Sequence, residues 1–509
     1  MLALPSTSPE GPLRPSNGSD SRRAICRYAT PYELKVKSAT MTLMQNVRKA
    51  HFIGIGGVGM SAVAKLLKDA GVEVTGSDEA VYLPVSEFLA KEGFTVRTPY
   101  AAANIPADAD LIVIGKNAKL IPETNPEVAA ALASGVRVAS FPEVLAELVR
   151  GKKVLLVAGS YGKSTCAALL AHCLERAGLE PSYFIGASPI TPESPAKFGS
   201  GEYFVIEGDE YPSSNTDPRS KFLHFKPLHA LITPLAHDHF NVFPTPESYL
   251  KPFADLVPLV SKGLVVATSG ALSGEFLKHL ARPVVMYGEG GEYTATDIRW
   301  GERTRFTLIR KGQTLCELET SLLGEHNIEN IVGVAALAFS QKLLSAEELA
   351  RGVASFKGVR RRMDRRSEGT SIPIYEGFGS SKEKLQNAIA AMKRHFPERR
   401  LVVVFEPHTF SWRQSKALPW YDDAFAGAAE VVVYCPPEDG KTTELTTEEI
   451  VKRISASGVE AYGFTDTQAL LKEFGAALAK NEAVLLSSSG AMGGLIEEIP
   501  KLAEEKFPA

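Results

Sequence analysis

Cysteine is scarce in this chain. There are five in 509 residues, Cys26, Cys166, Cys173, Cys316 and Cys435, and no two form a CxxC pair. That excludes a disulfide scaffold and a thiolate zinc site and fits a reducing cytoplasm. A basic surplus is missing too: the formal net charge is −3 and the pI about 6.4, so nothing global favours the phosphate backbone of nucleic acid. No apolar run approaches the roughly 18–20 residues that span a bilayer, and the N-terminus lacks the apolar core of a signal peptide. A soluble protein with neither nucleic-acid partner nor membrane insertion is expected; the oligomeric state is not legible.

What is present is an average globular composition, 44% hydrophobic and 23% charged, with 42 Gly and 32 Pro for many turns. The length exceeds one core and predicts two to four domains. Residues 1–45 alternate Pro with Ser, Gly and Asn, show no apolar period and are expected to be disordered, with Met41 or Met44 as candidate true starts. From Lys49 onward apolar runs alternate with helical stretches, as a parallel sheet with helical crossovers requires. Runs at 50–55, 72–75, 111–114 and 136–139 make one unit. Those at 154–157, 203–206, 230–233 and 264–267 make a second, and those at 372–375, 401–405, 431–434 and 484–486 a third. The expected architecture is three α/β domains at 46–147, 148–365 and 366–509.

Two glycine turns carry the chemistry. Gly54-Ile55-Gly56-Gly57-Val58-Gly59 follows a strand and opens a helix, and Asp78 arrives about 20 residues later, where a ribose-reading carboxylate sits in nucleotide-binding turns. A nucleotide-diphosphate sugar presents the same pyrophosphate as a dinucleotide, and a tight packing turn would use the same glycines. The second turn, Gly159-Ser160-Tyr161-Gly162-Lys163-Ser164-Thr165, leads from the run at 154–158 into a helix. Such a loop cradles phosphates on backbone N–H groups, Lys163 neutralises the β/γ charge, and Ser164 or Thr165 can ligate Mg²⁺. The usual pattern wants an earlier Gly where this chain has Val157.

Further candidates stand at strand ends. Glu207-Gly208-Asp209-Glu210 offers hard oxygen ligands, although acid clusters are often solvated surface. His237-Asp238-His239 lacks the further ligands zinc needs, so a histidine on Mg²⁺ or phosphate is the favoured reading. Asn327 and Asn330 share a helical face, with helix capping the bland alternative for Asn327. Arg360, Arg361, Arg362, Arg365 and Arg366 are a solvated face or a phosphate bridge.

In this order, HFIGIGGVGMSAVAKLL, GVEVTGSD, GSYGKST, EGDE, HDH, GEHNIEN and FKGVRRRM, the chain resembles the Mur ligase family from about Ala50 to its C-terminus. The resemblance implies a Rossmann-like UDP-binding domain (Gly54, Gly56, Gly57, Gly59, Ser61, Asp78), a central P-loop ATPase-type domain and a Rossmann-like C-terminal domain. It implies ATP and Mg²⁺ as cofactors, and UDP-N-acetylmuramate and a peptide or amino-acid amine as substrates. Activation of the carboxylate as an acyl phosphate would precede amide formation. By position, Lys163 would contact the β/γ-phosphates, Ser164 or Thr165 one Mg²⁺, and Glu207 with His239 another. Gly159, Ser160, Tyr161 and Gly162 would complete the ATP loop, Asn327 and Asn330 would face the adenine, and Arg361 or Arg362 would reach the phosphates or close the interdomain gap. The segments Asp217–Pro227, Asn125–Val128 and Phe405–Arg413 are similar to the branch that adds a tripeptide. The chain departs from the family at Pro234, where Asn is common, at Gly377, where an aspartate is usual, and at Ser380-Ser381, where paired histidines stand. Glu376 is the candidate replacement acid.

Overall fold

The computed structural model describes residues 43–82, 85–239, 241–436 and 444–509. The expectation of a disordered extension, and Met41 as a start, therefore fall outside the described residues up to position 42. Leu43–Ala509 forms one compact unit built on three sheets.

The first sheet runs, in spatial order, Val96–Arg97, Glu73–Ser77, Lys49–Ile53, Leu111–Ile114 and Arg137–Ala139, all parallel. Its central strands are buried on both faces, with Phe52, Leu111, Ile112 and Val113 at 0% exposure, which is why they read as unbroken apolar runs. The helix Val58–Asp69 seals one face through Met60, Val63, Leu66 and Leu67, spaced three and four apart. The sheet order reverses at Lys49–Ile53, so the Gly54–Gly59 turn lies at the switch point where α/β sheets bind ligands.

The second sheet has ten strands. Its parallel centre places Lys153–Ala158 between His229–Ile232 and Tyr203–Glu207, so the phosphate loop and the EGDE acids leave neighbouring strand tips. Beyond Val285–Tyr287 the sheet continues as an antiparallel meander, Tyr293–Arg299, Thr304–Arg310 and Gln313–Thr320, which the alternation of the sequence did not predict.

The third sheet orders Arg362–Arg365, Ile374–Gly377, Glu482–Ser487, Arg400–Phe405, Glu430–Tyr434 and Glu460–Phe464. Only the first strand is antiparallel to its neighbour, and it precedes the expected boundary at 366. The three sheets thus form an α/β architecture in three parts.

Candidate functional site

Both glycine turns feed helices whose first turns carry no side-chain cap. The helix Val58–Asp69 starts at Gly57 and Lys163–Arg176 starts at Gly162, which has φ +83°. Uncapped N–H groups and the positive dipole end make each turn an anion site. Gly159 is obligatory: at φ +138° a Cβ would stand 2.2 Å from Thr233 Oγ1 and 2.7 Å from the Thr233 carbonyl. At Gly162 a Cβ would stand 2.2 Å from Asn330 Oδ1.

Lys163 Nζ donates to the Gly159 carbonyl at 2.5 Å and pairs with Glu210 at 3.1 Å. Glu210 is 1% exposed and also meets His239 Nε2 at 3.2 Å, and this bond raises the imidazole pKa above its ordinary value. Tyr211 OH lies 3.1 Å from His239 Nδ1. The Ser164 hydroxyl donates to Glu207 Oε1 at 2.7 Å, and the Gly186 N–H donates to Oε2 at 2.7 Å. Ser164 rather than Thr165 therefore faces the acid. Of the two residues expected to share a Mg²⁺, Glu207 is hydrogen-bonded to Ser164 and His239 to Glu210. Glu210 is the acid of EGDE that the sequence left unassigned, because its partners come from positions 163 and 239.

At the first turn the Gly56 N–H donates to Asp78 Oδ2 at 2.7 Å and Tyr100 OH donates to Oδ1 at 3.1 Å. Asp78 thus shapes the turn from its far side while remaining partly exposed. Ser61 is 2% exposed, and its hydroxyl donates to the Val58 carbonyl within the first turn of the helix.

The Ser160 N–H donates to the Pro234 carbonyl at 3.0 Å, and its hydroxyl donates to the Ala236 carbonyl at 2.7 Å, so Ser160 braces the loop against the neighbouring strand end. Pro234 is compatible with this brace, which uses only its carbonyl. Tyr161 is 55% exposed. Asn327 is not the helix cap, a place taken by Gly324; it donates to the Leu323 carbonyl and accepts from Asn330. Both amides are buried, and Asn330 lies directly beneath Gly162, at the base of the phosphate loop. Arg361 is held against the third sheet through Glu376, the Ser488 carbonyl and the Gly490 carbonyl. Arg362 is exposed at the start of the edge strand.

Between the two turns lies a cavity of about 240 Å³ lined by Val58 and Gly59 on one side and Lys163, Glu207, Asp209 and Lys221 on the other. Glycine backbone, an ammonium and a hydroxyl–carboxylate pair there fit a nucleotide phosphate with Mg²⁺, a hard cation content with one or two protein oxygens. Among the described residues no cluster of three or more His, Cys, Asp or Glu could hold a metal by itself. A larger hollow of about 610 Å³ beside Phe276 and Leu280 contains no residue of either turn.

Comparison with known proteins agrees with this geometry. The Mur ligase family, catalytic domain, matches residues 49–153, and the Mur ligase middle domain matches 157–338. A UDP-N-acetylmuramate–alanine ligase of Thermotoga maritima is 23% identical over 90% of this chain and 99% of its own, with a TM-score of 0.72. A murein peptide ligase of Psychrobacter arcticus is 23% identical over 91% and 100%, at 0.59. The UDP-N-acetylmuramate:L-alanyl-γ-D-glutamyl-meso-diaminopimelate ligase of Neisseria meningitides is 32% identical over 62% of this chain and 100% of its own, at 0.56. Two consecutive family matches, with the two glycine turns facing one cavity, establish that this chain belongs to the Mur ligase family of ATP-dependent amide-bond ligases.

Proposed function

We propose that this chain, in the cytoplasm, joins the carboxylate of UDP-N-acetylmuramate to the amine of L-alanyl-γ-D-glutamyl-meso-diaminopimelate in wall recycling. The observation that carries the proposal is the cavity shared by the two turns. A UDP-linked acid on Gly54–Gly59 and ATP on Gly159–Thr165 would bring carboxylate and γ-phosphate together beside Lys163 and Glu207. The 32% identity to the tripeptide ligase of Neisseria meningitides supports the branch.

In this scheme a carboxylate oxygen attacks the γ-phosphorus and ADP leaves. The amine nitrogen then attacks the carbonyl carbon, phosphate leaves, and the nitrogen loses a proton. Lys163 binds the transferring phosphoryl oxygens, and Glu210 holds that ammonium in place. Such positioning and charge neutralisation dominate phosphoryl transfer. Ser164 and Glu207 are the residues that would hold Mg²⁺, which supplies charge neutralisation between the phosphates. Glu207→Gln is expected to keep the shape but weaken metal use by at least the roughly 10–100-fold that loss of a supporting group costs. Rates measured against Mg²⁺ concentration should recover at high Mg²⁺, and an unchanged metal dependence would exclude the role.

The amine side is altered. Gly377 is buried at a strand end. Ser381 caps the helix Lys382–His395 by accepting the Lys384 N–H, and Ser380 takes the Lys384 ammonium. Glu376, the candidate replacement acid, is buried on Arg361 and Arg366, which supports a structural role for it. ATP and UDP-N-acetylmuramate should therefore bind while tripeptide ligation is slow or another amine is preferred. The test is calorimetry with each ligand, followed by phosphate release and product mass with tripeptide or alanine. Efficient tripeptide ligation would remove the concern over these positions. Preference for alanine would move the chain to the alanine-adding branch, and binding without any ligation would identify a degenerate nucleotide-binding relative.

A further inference from the structure

The cavity holds a second ammonium group, Lys221, that the phosphate loop does not use. Lys221 opens the short turn Lys221–His224, and its side chain is 17% exposed. Its Nζ lies 2.5 Å from Asp209 Oδ2 and over the rings of Phe141 and Tyr211, at 5.4 and 5.9 Å from their centroids. Phe141 is also the ring against Gly59, where a Cβ would come within 3.2 Å of it. Lys221 therefore sits at the seam between the glycine turns, with its ammonium over the Phe141 and Tyr211 rings and against Asp209.

Both domains fix this position. The loop before Lys221 is clamped to the first sheet: Asn215 Nδ2 donates to the Asn117 and Leu120 carbonyls at 3.1 and 3.2 Å, and Lys116 Nζ donates to the Pro212 carbonyl at 3.3 Å. Pro212 and Ser220 close the loop through an antiparallel bridge. Lys116 is thereby brought within electrostatic reach of Lys221; burial and then the Lys221 charge pull its pKa down, with Asp209 opposing. Lys163 is paired with Glu210 and Lys221 with Asp209, while Lys116 feels Lys221 and Asp209 at longer range. With Glu207 taken by Mg²⁺ in the proposed scheme, an anion entering beside Lys221 meets two ammonium groups against the one carboxylate of Asp209.

Resting on the function proposed above, a carboxylate entering this cavity meets the repulsion of the γ-phosphate and needs a cation not spent on phosphate. We infer that Lys221, backed by Lys116, receives the sugar-acid carboxylate of the UDP-linked substrate. It binds one oxygen and leaves the other facing phosphorus. Lys221 is then a substrate-binding and specificity residue, which reads the acid and not the nucleotide.

The experiment uses the full chain and its Lys221→Met variant, which keeps a long unbranched side chain and removes the charge. Calorimetry compares UDP-N-acetylmuramate, UDP-N-acetylglucosamine, which lacks the acid, and a non-hydrolysable ATP analogue. The variant should lose about tenfold or more in affinity for the acid, as expected for a charge-assisted hydrogen bond, and keep its affinity for the other two. Lys221→Arg should retain part of the preference. The double variant Lys221→Met/Asp209→Asn, which leaves no unpaired carboxylate, gives the same readout if the single variant does not fold. A folded variant that still prefers the acid as the natural chain does overturns the inference, as does an equal fall in affinity for the ATP analogue. A natural chain that binds both UDP sugars equally also overturns it while sparing the proposed function. A natural chain that binds neither removes both.

Discussion

Lys163→Ala is expected to cut ATP-dependent phosphate release by roughly 10²–10³-fold or more, the scale of losing one preorganised electrostatic group, while the protein stays folded. The side chain is an ammonium aimed across a glycine cradle, and its truncation opens no core cavity because it lies among polar partners. The concern would be Glu210, a carboxylate at 1% exposure that loses a cation. It keeps His239 Nε2 at 3.2 Å and Tyr249 OH at 3.5 Å, so the buried acid is not orphaned. The stability loss should therefore stay well short of the about 3–5 kcal/mol that follows when a buried ion pair loses its only partner. Thermal unfolding and a phosphate-release assay on the same preparation separate the two effects. Phosphate release at the natural rate would sink the assignment of the loop.

What could be read from the sequence follows from how local each signal is. Lys153–Ala158 and Leu111–Ile114 are buried on both faces and appear as continuous apolar runs, so the central strands and the switch-point turns were legible. The meander Tyr293–Arg299, Thr304–Arg310 and Gln313–Thr320 was not, because strands with one exposed face mix Thr, Arg and Glu with their buried residues. Edge strands such as Glu460–Phe464, with little burial, leave almost no apolar trace. In the site, Lys163, Ser164 and Glu207 stand in short motifs whose chemistry the spacing itself suggests. Glu210, Lys221 and the commitment of Ser160 to Pro234 and Ala236 depend on which distant loop arrives opposite. That is fixed by the order of strands in the second sheet and is invisible in a single sequence. Asn327 and Asn330 show both halves of the lesson: their spacing put them on one face, but only the fold placed that face under Gly162.

Glu376→Ala is expected to destabilise the protein by about 1–3 kcal/mol, the cost of hydrogen bonds to charged groups lost where the stranded cations keep other partners, and to do so in the third sheet. Glu376 is 3% exposed and accepts from Arg361 Nε at 3.1 Å and Arg366 Nη1 at 3.2 Å. Burial and the nearby Asp364 raise its carboxyl pKa, opposed by Arg366 and Arg361. Alanine would leave Arg366, with its side chain 15% exposed, facing Asp364 at 3.6 Å and Glu497 at 3.5 Å. Arg361, at φ +64°, would be left on the Ser488 and Gly490 carbonyls and the Phe378 ring. The strand Arg362–Arg365 is joined to Ile374–Gly377 by three register pairs with a shift between them, so little else holds this edge where the chain enters its last sheet. Glu376→Gln keeps an acceptor oxygen for one guanidinium and should cost about half as much or less. Urea unfolding of the three proteins gives the order natural, Gln, Ala in midpoint at similar slope. If instead Glu376 served the amine site in place of the missing aspartate at Gly377, alanine would leave the midpoint near that of the natural chain and lower kcat alone. Those two outcomes cannot be confused, because the first moves the unfolding midpoint with or without substrates present and the second appears only in turnover.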